Sequence, residues 1–429
     1  MKICVVTLGC PKNIVDSEYL SARLFNNQVQ FVNEAVDADV VIINTCAFIL
    51  SAREEAIETI LEAVQLKQEG RIHRIYVTGC LPQRYIDELK KEIPEVDVFF
   101  SGQDFQEIGR RIAQDLNLSH ESSSPIRKLQ TPSHYAYLKI SEGCDNRCHY
   151  CTIPLIKGDF CSFAEAELIS EAGELAASGV KELIVIAQDT TYFGRDRGDR
   201  DQLIQLIRKI AEIDSLSWIR LLYAHPAHFS DKLISLYSEI HKLCRYIDLP
   251  IQHISNKMLK LMGRRVTEKQ VRTLIDKLRD RVPGIAIRTT MMVGYPGENE
   301  ADFLLLKNFM EETRFERVGV FKYSPEEGTR AFHMEKQLDE AIKEERLDEL
   351  MQLQYDIAYE HNQQLVGRTI PVIIDEKDEE SSTCFGRTQW DTPLIDNTVH
   401  IKESLAIGSI TPIRITQADA YDMWGERNA

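Results

Sequence analysis

The sequence lacks both a long apolar run and an excess of basic charge. Although 43 % of its 429 residues are hydrophobic, no stretch reaches the roughly 18 uninterrupted apolar residues that cross a bilayer. Lys12 and Asp16 come too early for a secretory signal sequence. The composition also excludes a wholly disordered, collagen-like or small disulfide-stapled protein. We therefore expect a globular cytoplasmic protein that does not bind membranes.

The net charge of −16 limits the classes of partner. Nucleic-acid binding depends largely on clustered Lys and Arg, so a broad phosphate-binding surface is not expected. An acidic chain suits a basic protein partner instead, because opposite charges steer the two together.

The length and the local patterns predict an α/β protein of three domains. Residues 1–116 are predicted to form an open parallel α/β sheet domain. Residues 117–134 have no hydrophobic periodicity and are rich in Ser and Pro, which indicates a linker. Residues 135–364 alternate strand-like and helical stretches, which indicates a (β/α) barrel with a trailing helix. Residues 365–429 carry short β-branched runs separated by turns, which predicts a small all-β barrel.

Ten cysteines require an explanation, because disulfides are rare in a reducing cytosol. A single cysteine is most often a small buried apolar residue. We expect that role for Cys4, Cys161, Cys244 and Cys384. The other six form two groups of three.

The first group follows three short runs rich in Val and Ile, at 3–10, 40–46 and 75–80. Such runs predict buried parallel strands, and 51–69 predicts an amphipathic helix with Ser51 as its N-cap. The crevice beyond the carboxyl ends of strands binds ligands in open α/β sheets. Three thiolates there could hold a [4Fe–4S] cluster with one iron open, the alternative being three unrelated residues. The cysteines concerned are Cys10, Cys46 and Cys80.

The second group is a CxxxCxxC loop after the strand-like run 135–140. Cys144, Cys148 and Cys151 are close enough in sequence to hold one corner of a cubane, leaving a fourth iron free to chelate a small molecule through an amine and a carboxylate. A zinc site would need a fourth ligand. His149 is available, but its place between the second and third cysteines makes convergence awkward.

Polar residues follow further predicted strands at 182–187, 218–223, 246–250 and 285–293. In a parallel barrel such residues surround the site, although the histidines also fit structural hydrogen bonding and 294–297 also fits a plain turn. The candidates are Gln188, Asp189, His225, Gln252, His253, Arg288 and the segment 294–298.

The CxxxCxxC loop, with the aromatic Tyr150 before its last cysteine, resembles that of the radical S-adenosylmethionine (SAM) enzymes. Joined to an upstream three-cysteine domain, it is similar to the methylthiotransferase family over essentially the whole chain. Residues 7–13 (TLGCPKN) and 139–148 look like the branch that modifies a ribosomal protein, whereas the tRNA-modifying branch usually carries Gln-Met-Asn after that cysteine. One departure is 157–162 (KGDFCS), where the family tends to show arginines.

That resemblance implies a reaction and its cofactors. Cys144, Cys148 and Cys151 would hold the catalytic [4Fe–4S] cluster that binds and reductively cleaves SAM, and Cys10, Cys46 and Cys80 a second [4Fe–4S] cluster that carries the sulfur. The product would be a methylthio group on the β-carbon of an aspartate in protein twelve of the small ribosomal subunit. A second SAM would supply the methyl group, with an external one-electron reductant and a sulfur donor. The SAM pocket is expected to include Tyr150, Gln188, Gln252, Arg288 and Gly294.

Two alternatives remain open. The last domain resembles a TRAM domain, often an RNA-binding module, which allows a tRNA adenosine as the substrate. Residues 366–429 carry six basic and eleven acidic residues, however, so we do not expect tRNA to bind there. The other alternative is a non-enzymatic, zinc-bearing nucleic-acid-binding protein.

Overall fold

A computed structural model describes residues 1–118, 126–378 and 380–427. Part of the predicted linker, residues 119–125, therefore lies outside the described residues. Among the helices described, none combines the length and apolar character that crossing a membrane requires.

The N-terminal domain has the predicted open parallel sheet, and its five strands run in the order β2-β1-β3-β4-β5. The helix predicted at 51–69 is present, but it begins at Leu50 after Ile49, so the expectation of Ser51 as its N-cap is wrong. The elements are β1 (Lys2–Thr7), α1 (Pro11–Leu24), β2 (Gln30–Val32), β3 (Val40–Thr45), α2 (Leu50–Gln68), β4 (Arg74–Gly79), α3 (Cys80–Glu92), β5 (Val98–Phe99) and α4 (Phe105–Asp115).

The central domain alternates strands and helices, which confirms the predicted (β/α) pattern. Two three-stranded parallel sheets, β6-β9-β10 and β11-β12-β13, are joined by a parallel bridge between Ile219 and Leu243. The elements are β6 (Tyr135–Lys139), β7 (Ser141–Glu142), α5 (Ile153–Lys157), β8 (Cys161–Ser162), α6 (Glu165–Ala177), β9 (Glu182–Ile186), α7 (Gln202–Ala211), β10 (Trp218–Leu221), α8 (Asp231–Glu239), β11 (Tyr246–Asp248), α9 (Asn256–Leu261), α10 (Glu268–Arg281), β12 (Ala286–Val293), α11 (Glu300–Thr313), β13 (Arg317–Lys322) and α12 (Glu340–Gln363).

The two faces of these central strands are covered by different domains. Successive side chains of a strand point to opposite faces. One face, with Leu138, Val185 and Ile287, packs under the helices of the central domain. The other face, which we call the inner face, is covered along β6, β9 and β10 by helix α1 of the N-terminal domain and by Trp390 of the C-terminal domain.

Helix α1 is held on the inner face by buried ion pairs. Asp16 binds Lys139 of β6, and Glu18 binds Arg127, whose guanidinium also lies 2.6 Å from a carboxylate oxygen of Glu171. All of these charged groups are at least nine-tenths buried. Because a buried charge is costly without its partner, these pairs determine how the first domain docks on the second.

The C-terminal domain is a closed five-stranded barrel in the order β14-β15-β16-β18-β17, which confirms the predicted all-β barrel. It is not purely antiparallel, because β16 and β18 pair in parallel. The β-branched runs of the sequence lie at 369–374, 398–401 and 410–415 and correspond to the first, third and fourth strands. The other two were not predicted, because both are interrupted by Gly, Arg or acidic residues. The strands are β14 (Thr369–Lys377), β15 (Cys384–Thr388), β16 (Thr398–Ile401), β17 (Ile410–Ala418) and β18 (Asp422–Arg427).

Ion pairs also join the C-terminal barrel to the central domain. Arg387 lies 2.7 Å from carboxylate oxygens of both Glu182 on β9 and Asp375 on β14. Two further acids of this barrel, Asp391 and Asp396, face Arg317 and Arg288 at 2.7 and 3.4 Å. Some of the acidic residues of this domain therefore form ion pairs at the domain interface and are not available to a partner.

Three of the four cysteines expected to be buried are buried, namely Cys4, Cys244 and Cys384. The expectation for Cys161 is wrong, because that residue is exposed. It begins the two-residue strand β8, where the alternation of side chains turns Ser162 inward to Asp196, 2.6 Å away, and Cys161 outward.

We predict that Arg387→Met lowers the free energy of unfolding by about 1.5–3 kcal/mol, since the change removes charge-assisted bonds to two carboxylates and leaves Glu182 with Arg220 alone and Asp375 with His134 alone. Urea denaturation of the full chain measures the effect. Arg208→Met is the matched control, because Arg208 forms an exposed pair with Glu239, and we expect a change within about 0.5 kcal/mol. Equal effects of the two substitutions would contradict the prediction.

Candidate active site

The structure brings Cys10, Cys46 and Cys80 together, as their positions after three neighbouring strands predict. Cys10 immediately precedes α1, Cys46 follows β3 directly, and Cys80 is the first residue of α3. Burial raises the pKa of the Cys80 thiol to about 12, and the nearby Cys46 and Cys10 raise it further against the lowering effect of Lys157. Each thiol of this N-terminal trio is thus within electrostatic reach of the others.

Close backbone approach makes this arrangement possible. Gly9 has a φ of +91°, and a Cβ added there would lie 2.7 Å from Cβ and 3.0 Å from Sγ of Cys46. The side-chain amide of Asn13 ties the two loops together by donating to the carbonyl oxygens of Leu8 at 2.7 Å and Thr45 at 3.2 Å. The cysteine loops therefore leave no room for a side chain at position 9.

Two helix N-termini oppose the effect of burial on the thiols of the N-terminal trio. Helix α1 begins directly after Cys10 and helix α3 begins at Cys80, so the positive dipole ends of two helices lie beside the trio. Helix N-termini stabilise thiolates. This donor set fits an anionic iron–sulfur cluster held by three cysteines.

The loop that carries Cys144, Cys148 and Cys151, which we call the cluster loop, has no helix or strand of its own. Its backbone is held by bonds from Cys144 N–H to the Gly158 carbonyl at 3.2 Å and from Cys151 N–H to the Cys148 carbonyl at 3.0 Å. Burial raises the pKa of Cys144 to about 11, and the Cys148 charge contributes to that rise. Burial also raises the pKa of Cys151, and the nearby charges of Cys148 and Cys144 raise it further.

Asp189 holds the cluster loop from the end of β9. One of its carboxylate oxygens accepts a bond from the Asn146 amide at 2.7 Å and lies 2.8 Å from Nδ1 of His228. Burial by itself would raise the pKa of Asp189, but the bond to His228 and the charges of His225 and His228 lower it below its ordinary value. His225 and His228 thus help to position the loop and lie beside it.

His149 does not converge with the cysteines. Its Nδ1 donates to the carbonyl oxygen of Leu261 at 2.8 Å, and its Nε2 accepts from Arg330 at 3.2 Å. Both ring nitrogens are thus engaged. In the described residues the cluster loop therefore offers three thiols without the fourth ligand that a structural zinc site requires.

A cavity of about 900 Å³ opens beside the cluster loop and is lined by Cys148 and Cys151. The guanidinium of Arg264 lies 3.7 Å from Sγ of Cys148, and its Nε is buried without a partner among the described residues. The volume suits a small-molecule ligand, and the basic lining suits an anionic cluster and a carboxylate. The basic residues of the lining are Arg147, Lys260, Arg264, Arg265 and Arg330.

The five residues predicted for the SAM pocket do not lie in the lining of that cavity. Tyr150 packs edge-on against Tyr295, with ring centroids 6.4 Å apart. Gln188 donates to Glu142 at 3.0 Å, and its Oε1 is buried without a partner among the residues described. Gln252 has a φ of +75° at the end of β11, a backbone conformation that costs about 1–2 kcal/mol.

The other two have structural partners. Arg288 lies between Asp248 at 2.9 Å and Asp396 at 3.4 Å. Gly294 has a φ of +73°, and a Cβ there would lie 2.3 Å from Cγ of Lys343 on α12. The SAM-binding roles of all five residues stay predictions.

Three candidate site residues were not predicted from the sequence. Arg264 is one, although the pair of arginines at 264 and 265 was a visible signal. Lys12 is another; its Nζ lies 3.6 Å from the ring centroid of Tyr223, the third, just beyond β10. Tyr223 has a φ of +58°, a strained conformation for a bulky residue that no sequence signal announces.

The two cysteine trios lie on the same side of the central strands. Helix α5, which follows the cluster loop, carries Lys157, whose charge acts on Cys80 of the N-terminal trio. Lys157 also lies 3.5 Å from Asp16 and 3.6 Å from Glu142. It belongs to the segment 157–162, which differs from the family pattern, and it contributes to the domain interface. The hydroxyl of Thr152, next to the last cysteine of the loop, donates to Phe48, two residues beyond Cys46, at 3.1 Å.

Family models match all three parts of the chain. Residues 2–101 match the uncharacterized protein family UPF0004, 138–310 the radical SAM superfamily, and 366–427 the TRAM domain. Among solved structures, TsrM of Kitasatospora setae, a radical SAM methyltransferase, superposes with a TM-score of 0.54 at 15 % identity over 76 % of both chains. The cobalamin-dependent radical enzyme OxsB superposes with a TM-score of 0.53 at 13 % identity, over 83 % of this chain and 56 % of that one. Both likenesses concern the fold.

Relatives of much higher identity extend over the whole chain. A protein of Desulfitobacterium hafniense, named ribosomal protein uS12 methylthiotransferase RimO, is 44 % identical over 99 % of this chain and 98 % of its own length. One of the same name from Phocaeicola vulgatus is 46 % identical over 98 % of both chains. Membership of the radical SAM superfamily brings SAM and an iron–sulfur cluster as cofactors. With near-complete coverage on both sides, this chain belongs to the RimO family of ribosomal protein uS12 methylthiotransferases.

Proposed function

We propose that this protein transfers a methylthio group to the β-carbon of an aspartate in ribosomal protein uS12. The observation that carries the proposal is the presence of two separate cysteine trios on one side of the central strands, in a chain of the RimO family. One trio suffices to cleave SAM, so a second trio is expected only where sulfur must also be delivered. We keep 1–116, 117–134, 135–364 and 365–429 as the proposed division of the chain.

Each trio would hold one [4Fe–4S] cluster. Cys144, Cys148 and Cys151 would bind the cluster at which SAM is cleaved, and the N-terminal trio would bind the other. When bound, the clusters supply the electron that cleaves SAM and the sulfur that is inserted. The reductant and the sulfur donor come from outside the chain, and we expect the reaction to take place in the cytoplasm.

The chain's own residues would orient the reactants and exclude water. Helix α1 and Trp390 already cover the inner face along β6, β9 and β10, which keeps water away from that part of the site. Asp189 fixes the cluster loop through Asn146, and Arg264 lies beside Cys148 with donors to spare for an anionic ligand. The buried ion pairs of helix α1 hold the N-terminal trio on the same side of the central strands as the cluster loop.

The substrate can be tested by mass. We expect the reconstituted enzyme, with SAM, sulfide and reductant, to add about 46 Da to uS12, since SCH₃ replaces H. Intact-protein mass spectrometry of uS12, alongside nucleoside analysis of tRNA in a parallel reaction, measures the product. Modification of tRNA alone would select the tRNA-modifying alternative.

Iron analysis tests the two clusters. We expect about eight irons per chain after anaerobic reconstitution, and about four when either trio is replaced by alanine. Cys148→Ala should abolish SAM cleavage, whereas Cys46→Ala should keep cleavage and lose sulfur insertion. Zinc without iron would refute both enzyme hypotheses, and full product formation by Cys46→Ala would refute the second cluster.

Gly9→Ala offers a test of the close packing in the N-terminal trio. The added Cβ would collide with Cys46, so we expect the loss of about four irons per chain while SAM cleavage continues. Gly70→Ala is the matched control, because Gly70 has a similar backbone, with a φ of +73°, and nothing within 4 Å of the added atom. Its iron content should equal that of the wild type. If Gly9→Ala also binds about eight irons, the trio is not packed as described.

A further inference from the structure

Lys12 is a buried cation that pairs with no carboxylate among the described residues. Only 8 % of its surface is exposed, and within the described ranges it forms no ion pair. The neighbouring buried lysines differ, because Lys139 and Lys157 both face Asp16 and Glu142. The charges of Cys10 and Glu142 act on Lys12 without forming an ion pair with it, so an incoming carboxylate would give this buried ammonium its first ion pair.

The side chain of Lys12 lies between the N-terminal trio and the barrel. It belongs to the first turn of α1, two residues after Cys10, and its Nζ is in contact with the ring of Tyr223. Tyr223 in turn is fixed by its backbone N–H, which donates to Asp248 at 3.0 Å, and by the bond from Thr190 N–H to its carbonyl at 3.1 Å. The strained backbone of Tyr223 thus holds the ring against the ammonium.

The inner face is left partly uncovered next to this point. On β12, Thr290 and Met292 are only half-buried, and the register places Gly319 and Phe321 of β13 beside them. Phe321 is 54 % exposed, which is high for a phenylalanine in a strand that faces a barrel interior. Asp248, the partner of Tyr223, also pairs with Arg288 on β12, so this uncovered strip adjoins the Lys12 site.

We infer that Lys12 binds the side-chain carboxylate of the target aspartate and positions its β-carbon beside the N-terminal trio. The inference rests on the proposed function and adds the residue that selects an acidic side chain. Arg288 is less suited to the task, because Asp248 and Asp396 already occupy its guanidinium. A substrate carboxylate would supply the missing anion of Lys12, and an amide of the same shape would leave the charge unpaired.

Peptide binding to the full, reconstituted protein tests this role. The probes are two fluorescent peptides of uS12 that span the aspartate carrying the mass gain, one with Asp and one with Asn at that position. We expect the wild type to bind the Asp peptide about 10- to 100-fold more tightly than the Asn peptide. Lys12→Met and Lys12→Gln should bind both peptides equally, whereas Lys12→Arg should retain most of the preference.

Lys242→Met is the matched control, since Lys242 is half-buried and donates to the carbonyl of Ile213 at the other end of the strands. It should discriminate between the peptides as the wild type does. The iron content of each variant should stay at the wild-type level. This measurement separates a role in peptide binding from support of the nearby cluster.

Three results would overturn the inference. The first is a preference for the Asp peptide that survives in both Lys12→Met and Lys12→Gln, and the second is equal binding of the two peptides by the wild type. The third is a loss of iron together with the preference in both variants, which would assign Lys12 to support of the cluster instead. Methylthiolation of uS12 by the wild type in any of these cases leaves the proposed function standing, and its absence removes that as well.

Discussion

The docking of helix α1 on the inner face of the central strands is the constraint on which the rest of the site depends. The helix begins directly after Cys10, and its buried acids Asp16 and Glu18 bind Lys139 and Arg127. Those pairs cannot slide, because any shift would strand a charge in an apolar environment. The position of one cysteine trio relative to the other therefore follows from ion pairs several residues away from either.

The same helix divides the inner face into a covered and an uncovered part. Ile14, Val15 and Tyr19 fill the space over β6, β9 and β10, while the strip along β12 and β13 keeps half-exposed side chains. A protein substrate needs such an opening, and a radical reaction needs the rest to be closed. Both requirements are met by one element, so the first domain acts as a wall of the barrel as well as a carrier of cysteines.

Charge in the C-terminal barrel serves two purposes that composition cannot separate. Its acids Asp375, Asp391 and Asp396 pair with arginines or with His134 at the interface, which fixes the barrel on the central domain. The remaining acids attract basic groups and repel phosphate, as any surplus of negative charge does. The sequence shows that the net charge of this domain is negative. It does not show how many of the acids face a partner, because pairing across an interface depends on residues far apart in the chain.

The sequence alone determined the class of the fold and the two groups of cysteines. The patterns that predicted them are visible in the chain order: strands rich in Val and Ile, a cysteine after each of three such strands, and the compact CxxxCxxC loop. Each depends mainly on neighbouring residues in the sequence. Local cues failed at helix starts such as Ser51 and for the exposed Cys161, where neighbours in space outweigh propensity. Tertiary structure decided which lysine is left without an acid and which strand face stays open. It did so because ion pairing and burial depend on distances between atoms that chain order leaves undetermined.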